Sequence, residues 1–89
     1  MQLHQVKYFL ALYEERNFTR AARRCGVSQP SLTNAIKELE GELGGNLFRR
    51  KPEVSVTELG KVILPHFLAI ARESENAVHA ARLLLDGAI

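Results

Sequence analysis

The chain has 89 residues, 46% hydrophobic and 25% charged, and its 12 lysines and arginines exceed its 10 acidic residues by a net charge of +2. This length fits a single domain, and the ordinary composition excludes a disordered or collagen-like chain. No apolar run approaches the ~18–20 residues of a membrane span, and the N-terminus lacks the features of a signal peptide. A single cysteine cannot form an internal disulfide. We therefore expect a cytoplasmic protein without a membrane segment.

The small net charge is unevenly distributed along the chain. Residues 1–37 carry a net charge of +4, residues 38–58 carry −2, and the remainder is neutral. The cations gather in two clusters, at residues 16–24 and 49–51. Such clusters suit a polyanion, because each lysine or arginine that meets a phosphate releases counterions. A solvated helix face is the plainer alternative.

The first half of the sequence predicts three helices. An apolar stripe over residues 3–13 predicts the first helix, which should end near residues 15–17. Thr19 is a candidate N-cap for a short second helix, and Gly26 is suited to the left-handed conformation just beyond its end. Ser28 is a good N-cap for the third helix, which has Pro30 in its first turn. Its apolar residues fall at helical spacing on one face, namely Leu32, Ala35, Ile36, Leu39 and Leu43.

Two helices joined by a tight glycine turn, the second with an N-cap, predict a helix-turn-helix at about residues 18–37. Two short extended stretches at about residues 47–56 flank a turn and predict a wing. A final long helix should begin at Thr57 and Glu58 and reach about Leu85. The predicted fold is thus mainly α, a winged helix-turn-helix over residues 1–58 followed by a linker helix over residues 58–89.

The long helix contains a repeat with a period of 3.5 residues, which is typical of a coiled-coil seam. The seam comprises Ile63, Phe67, Ile70, Ser74, Ala77, Ala81 and Leu84. Packing within the chain is the alternative, above all for Ile63 and Phe67. Beyond Ile70 the small head has nothing that could cover the stripe. We therefore expect this helix to form a two-fold homodimer.

The third helix carries a polar stripe opposite its apolar one. The candidate base-reading residues are Gln29, Pro30, Ser31, Thr33, Asn34 and Lys37. Asparagine and glutamine can pair with adenine edges, and lysine can reach guanine or phosphate. An ordinary solvent-facing surface usually mixes glutamate with lysine, but this one has no carboxylate before Glu38. Three glutamates from Glu38 to Glu42 indicate that the second half of the helix leaves the groove.

A second group is suited to anchoring phosphates rather than reading sequence. It comprises Thr19, Arg20, Ser28, Arg49, Arg50 and Lys51. Ser28 is first of all a cap, although its hydroxyl can also touch phosphate. Arg23 and Arg24 could contact phosphate or could instead pair with Glu14 or Glu15.

No arrangement of residues typical of an enzyme is present. The three histidines are far apart and lack metal-ligand spacing, so no metal or cofactor is expected in this chain. Cys25 is interpreted as a small buried residue, with redox sensing as the alternative. The rival to DNA binding is a protein-interaction module, in which the long helix docks a partner and the helix-turn-helix is scaffold. Hydrogen-bonding groups rather than apolar anchors on the third helix argue against it.

Several motifs in register resemble the LysR-type transcriptional regulators. They are NFTRAA (17–22), VSQPSLT (27–33), LEGELG (39–44), LFRR (47–50) and VTELG (56–60). The resemblance covers residues 2–60, and the helix beyond matches the family's linker helix. It implies a bacterial winged helix-turn-helix that reads a partly palindromic promoter site as a dimer, usually within a homotetramer. It also implies that the base-reading residues above face the major groove, with Arg50 beside the wing.

The sequence departs from the family pattern in three respects. Position 34 is often arginine in the family, so Asn34 could change which base is read. The wing is about one residue shorter, with Pro52 and Glu53 where a basic residue is common, which leaves Arg50 or Lys51 as candidates for the minor groove. The resemblance also implies a C-terminal domain that binds a small-molecule inducer, and no such domain follows in this sequence.

Overall fold

A computed structural model describes residues 1–87 of the chain. Within them the chain forms four helices and two strands, in the order α1 (Leu3–Glu15), α2 (Phe18–Cys25), α3 (Gln29–Leu43), β1 (Phe48–Arg49), β2 (Ser55–Val56) and α4 (Glu58–Leu85). The strands pair antiparallel, with Phe48 opposite Val56 and Arg49 opposite Ser55. This is the mainly helical winged helix-turn-helix that the sequence predicts. Residues 88 and 89 of the predicted linker segment lie outside the described residues.

Short-range hydrogen bonds set the ends of the helices. Ser28 and Thr57 cap α3 and α4 as predicted, each accepting a backbone N–H from the third residue beyond it. The predicted N-cap of α2 is wrong. Asn17, in extended conformation, accepts the Arg20 N–H at 2.8 Å, so Thr19 lies inside the helix. Asparagine caps a helix as well as threonine does, and its position two residues earlier lengthens the helix by about half a turn.

The core lies where α1 crosses the helix-turn-helix and the start of α4. Phe9 is fully buried at its centre, with its ring 5.1 Å from that of Phe48 and 5.0 Å from that of Phe67. The Phe9 and Phe67 rings meet edge to face at 90°, an arrangement that aromatic pairs favour. Ala21 and Ala22 are buried at the inner side of α2. Their small side chains let the helix-turn-helix pack closely on α1.

Helix α4 begins against the core and continues away from it. With 28 residues it is about 42 Å long, which accounts for most of the chain's 52 Å longest dimension. Its buried residues are Gly60 and Phe67, both in its first half. Among the helices described, none has the long apolar stretch needed to cross a membrane.

Candidate nucleic-acid interface

The turn between α2 and α3 presents α3 at the surface. Gly26 has φ +70°, a conformation that glycine adopts without strain. The Val27 N–H then donates to the Ala22 carbonyl at 3.0 Å, which closes the end of α2. Ser28 follows in extended conformation and starts α3. The resulting helix buries Leu32 and Ile36 and leaves its opposite side exposed along the first half.

The first turn of α3 is held by two serines. The Ser28 hydroxyl accepts the Ser31 N–H at 3.2 Å and donates to the Ser31 hydroxyl at 2.8 Å. Pro30 has no N–H, so the Gln29 N–H is the donor of this turn that can face a ligand. Ser28 therefore acts as the predicted cap, and its contact with phosphate stays a prediction.

Five of the six predicted base-reading residues are exposed, and Thr33 is half-buried. Thr33 accepts a hydrogen bond of 2.8 Å from the Gln29 side chain one turn earlier. This bond orients both side chains along the helix. Asn34 and Lys37 continue the exposed face, and no carboxylate interrupts it. The face offers both hydrogen-bond donors and acceptors, and base-pair edges in the major groove present both kinds of group.

An open cleft of ≈ 340 Å³ separates α3 from the wing. It is lined by Phe18, Gln29, Thr33, Lys37, Arg50 and Val54. It thus brings three predicted base-reading residues together with Arg50 from the predicted phosphate group. Pro30, Ser31 and Asn34 do not line it, because they lie on the outer face of the helix.

The other predicted phosphate-binding residues differ in their exposure and in their contacts within the chain. Thr19, Arg49 and Lys51 are exposed. Arg20 is tied to the end of α1, since its guanidinium donates to the Glu15 carbonyl at 2.9 Å and lies 3.4 Å from the Glu15 carboxylate. Its side chain is still 60% exposed, so a phosphate could reach it.

Arg24 pairs with acidic residues of α1, which is the alternative to phosphate contact that the sequence left open. Its guanidinium lies 3.0 Å from Glu14 and 3.4 Å from Glu15. The hydrogen bond that Arg24 donates to the Glu14 carboxylate, and then the negative charge of Glu14, raise the pKa of Arg24 above its usual value. Arg23 is exposed on the same helix.

Glu40 is the functional candidate that the sequence reasoning missed. Glu38 and Glu42 are exposed, but Glu40, which the sequence analysis grouped with them, is only 7% exposed. Its carboxylate accepts the Leu47 N–H at 2.7 Å and lies 3.4 Å from the Arg50 guanidinium. The signal was available, because Glu40 follows Ile36 by four residues and so lies on the apolar face of α3.

The predicted dimer seam divides into two parts. Phe67 is 2% exposed, and Ile63 and Ile70 are half-buried against the core, so the alternative of packing within the chain holds for this part. Ser74 is half-buried, whereas Ala77, Ala81 and Leu84 are exposed. Within the described residues, only the second part of the seam, after Ile70, is free to pack against a helix of another chain. Dimerisation itself stays a prediction.

Cys25 and the histidines lie away from the interface. Cys25 is half-buried rather than buried, since α2 ends there. Burial raises the pKa of its thiol, and the charge of Arg24 opposes the shift. His4, His66 and His79 are exposed, and His4 packs edge-on against Tyr8 at 5.4 Å. Within residues 1–87 no cluster of three or more acidic, histidine or cysteine side chains could hold a metal ion.

A family model described as "Bacterial regulatory helix-turn-helix protein, lysR family" matches residues 3–61. This match covers the helix-turn-helix, the wing and the start of α4. The chain belongs to the LysR family. Members of this family are transcriptional regulators rather than enzymes, in agreement with the sequence analysis.

Similar LysR-family proteins include BudR of Klebsiella aerogenes, 42% identical over 98% of this chain, and HcaR of Escherichia coli, a transcriptional activator of the Hca operon, 41% identical over 97%. The chain spans 62% of the length of the first and 29% of the second.

Solved structures give the same family assignment. The BenM_DBD complex with catB site 1 DNA superposes with a TM-score of 0.92 at 30% identity, covering 100% of this chain and 97% of that one. The CbnR_DBD–DNA complex gives 0.86 at 31% identity, covering 96% and 99%. Both similar chains were crystallised on DNA.

Proposed function

We propose that this chain binds double-stranded DNA in a sequence-specific manner, as the DNA-binding part of a bacterial LysR-type transcriptional regulator. The observation that carries the proposal is the exposed face of α3. It presents Gln29, Thr33, Asn34 and Lys37 without a carboxylate, while the opposite face is buried in the core. The major groove admits a helix and offers donor and acceptor patterns that such side chains can read.

Phosphate contacts on both sides of α3 would fix its position in the groove. Thr19, Arg20 and Ser28 lie at the N-terminal ends of α2 and α3. Arg49, Arg50 and Lys51 lie at the wing, across the cleft. Contacts on two sides restrict the tilt and depth of the helix, so that base-reading side chains meet a defined register. The two similar chains crystallised on DNA support the proposal that this chain binds DNA.

We further propose that two chains bind as a two-fold dimer through the second half of α4. Ala77, Ala81 and Leu84 form an exposed row there, and small residues allow close approach of a second helix. Two-fold symmetry would place two half-sites on one face of the DNA, about 10 bp or a multiple apart. If the chain is part of a longer regulator, we propose that this regulator acts in the cytoplasm as a homotetramer. A C-terminal domain of that regulator would bind a small-molecule inducer.

The proposal is tested by selection from a pool of randomised DNA duplexes. We expect the chain to enrich a partly palindromic sequence. Fluorescence anisotropy should then show that the chain's affinity for the selected duplex is higher than its affinity for a scrambled one by a factor of about 10³ or more. The affinity for both should fall steeply with salt. Equal affinity for both duplexes would contradict sequence-specific binding, and no binding at moderate salt would favour the protein-interaction module instead.

A further inference from the structure

The carboxylate of Glu40 is buried between α3 and the wing. One of its oxygens accepts the backbone N–H groups of Leu47 at 2.7 Å and Phe48 at 3.4 Å, and the other lies 3.4 Å from the Arg50 guanidinium. A buried carboxylate is strongly unfavourable unless it is paired and hydrogen-bonded. Among the described residues, Arg50 is the only cation that pairs with the Glu40 carboxylate. Glu40 thus ties the start of β1 and the arginine after it to the recognition helix.

Arg50 is held on two sides. Glu40 lies on its inner side, and the guanidinium carbon stands 5.3 Å from the centre of the Phe18 ring. This distance is within the range of a cation–π contact. The side chain is 35% exposed and lines the cleft with Gln29 and Thr33. A guanidinium has five N–H donors, so most of them remain free to bind an anion beside the base-reading face.

We propose that Glu40 is a positioning residue for DNA recognition, which holds the Arg50 guanidinium in place to bind a phosphate next to the bases read by α3. The inference rests on the proposed function. An arginine already fixed in its bound conformation loses less side-chain freedom on binding. The fixed phosphate contact then sets the register of α3, although Glu40 itself repels DNA by its charge.

The test is Glu40→Gln in the full chain, measured on the duplex selected by the wild type and on a scrambled duplex. Glutamine keeps an oxygen that can accept the Leu47 and Phe48 N–H groups, but its amide nitrogen turns a donor toward Arg50. By charge alone the variant should bind all DNA more tightly. Loss of positioning predicts the opposite on the selected duplex, a weakening of about 2- to 10-fold. Binding to the scrambled duplex should be unchanged or stronger.

Two companion variants isolate the interaction. Glu42→Gln makes the same change in charge on the exposed side of the same helix, and it should not weaken binding to the selected duplex. Arg50→Ala should weaken both duplexes, and adding Glu40→Gln to it should cause no further loss. A further loss in the double variant would show that Glu40 does not act through Arg50 and would overturn the inference.

The remaining outcomes separate this inference from the proposed function. A wild type that enriches no sequence overturns both. If the wild type enriches a site and Glu40→Gln binds that site at least as tightly as the wild type does, the proposed function stands and only the inference is overturned. If urea titration shows that Glu40→Gln is unfolded, Glu40→Asp replaces it, because it leaves every charge and withdraws the carboxylate from Arg50 by the length of one methylene group. The same selective loss on the selected duplex is expected, and an unchanged affinity ratio overturns the inference.

Discussion

Gly60, in the first turn of α4, lies directly against the backbone of Leu47. A Cβ atom at position 60 would stand 2.5 Å from the Leu47 carbonyl oxygen and would also collide with the Val56 side chain. The same carbonyl accepts the Thr57 N–H at 2.9 Å. The start of α4 is therefore fastened to the segment that leads into the wing, and the absence of a side chain at position 60 permits this contact.

Gly60→Ala should lower the free energy of unfolding by about 1–3 kcal/mol, because backbone and side-chain atoms must move apart to accept the methyl group. Urea titration followed by circular dichroism measures the change. Gly41→Ala is the matched control. Gly41 is exposed within α3 with open space around it, so alanine there should stabilise the chain by about 0.5–1 kcal/mol. A Gly60→Ala chain as stable as Gly41→Ala would contradict the close contact.

Asn34→Ala should reduce affinity for the selected duplex by ~1–3 kcal/mol and leave the scrambled duplex nearly unaffected, because an exposed side chain that reads a base contributes only where that base is present. Anisotropy titrations on both duplexes measure the difference. Arg49→Ala is the contrasting variant. If Arg49 binds phosphate, its loss should weaken both duplexes alike and flatten the logarithmic salt slope by about 0.9. Equal losses for Asn34→Ala on both duplexes would remove Asn34 from the base-reading group.

Ala81→Glu should raise the dissociation constant of the dimer by about tenfold or more, because it places an unpaired carboxylate in the proposed seam. Ala80→Glu is the control. Both alanines are exposed in the same turn of α4, but position 80 lies off the seam. Sedimentation equilibrium over a range of chain concentrations gives the mass of each variant. A wild type that stays monomeric at every concentration while binding DNA would argue against the dimer, as would equal effects of the two substitutions.

Cys25 should react with an aromatic disulfide reagent at pH 7.5 roughly several-fold more slowly than a free cysteine does. Burial raises the pKa of the thiol, so a smaller fraction is present as the reactive thiolate at this pH. The rate should therefore continue to rise with pH beyond the range in which free cysteine levels off. In guanidinium chloride the difference should vanish. A native chain that reacts as fast as the unfolded one would contradict the shift.

The order and approximate bounds of the helices and strands could be predicted from the sequence, because the signals for them are local. Gly26, Ser28 and Thr57 mark helix ends through hydrogen bonds and dihedral angles that span a few residues. The apolar spacing in α3 likewise identified its buried face. The polar stripe opposite followed from the same period, so most of the proposed base-reading face was predictable.

Which partners bury a charged or apolar residue within the chain became clear only from the folded arrangement. The helical spacing of Glu40 places it on the apolar face of α3, but its partners are set only when the segment at Leu47 folds back over it and supplies two N–H donors and Arg50. By its spacing, Phe67 fits the dimer seam as well as the other seam residues do, but in the folded chain it packs against Phe9 in the core. Burial and charge pairing depend on segments that are distant along the chain, and helical periodicity says which face a residue occupies but not what will cover that face.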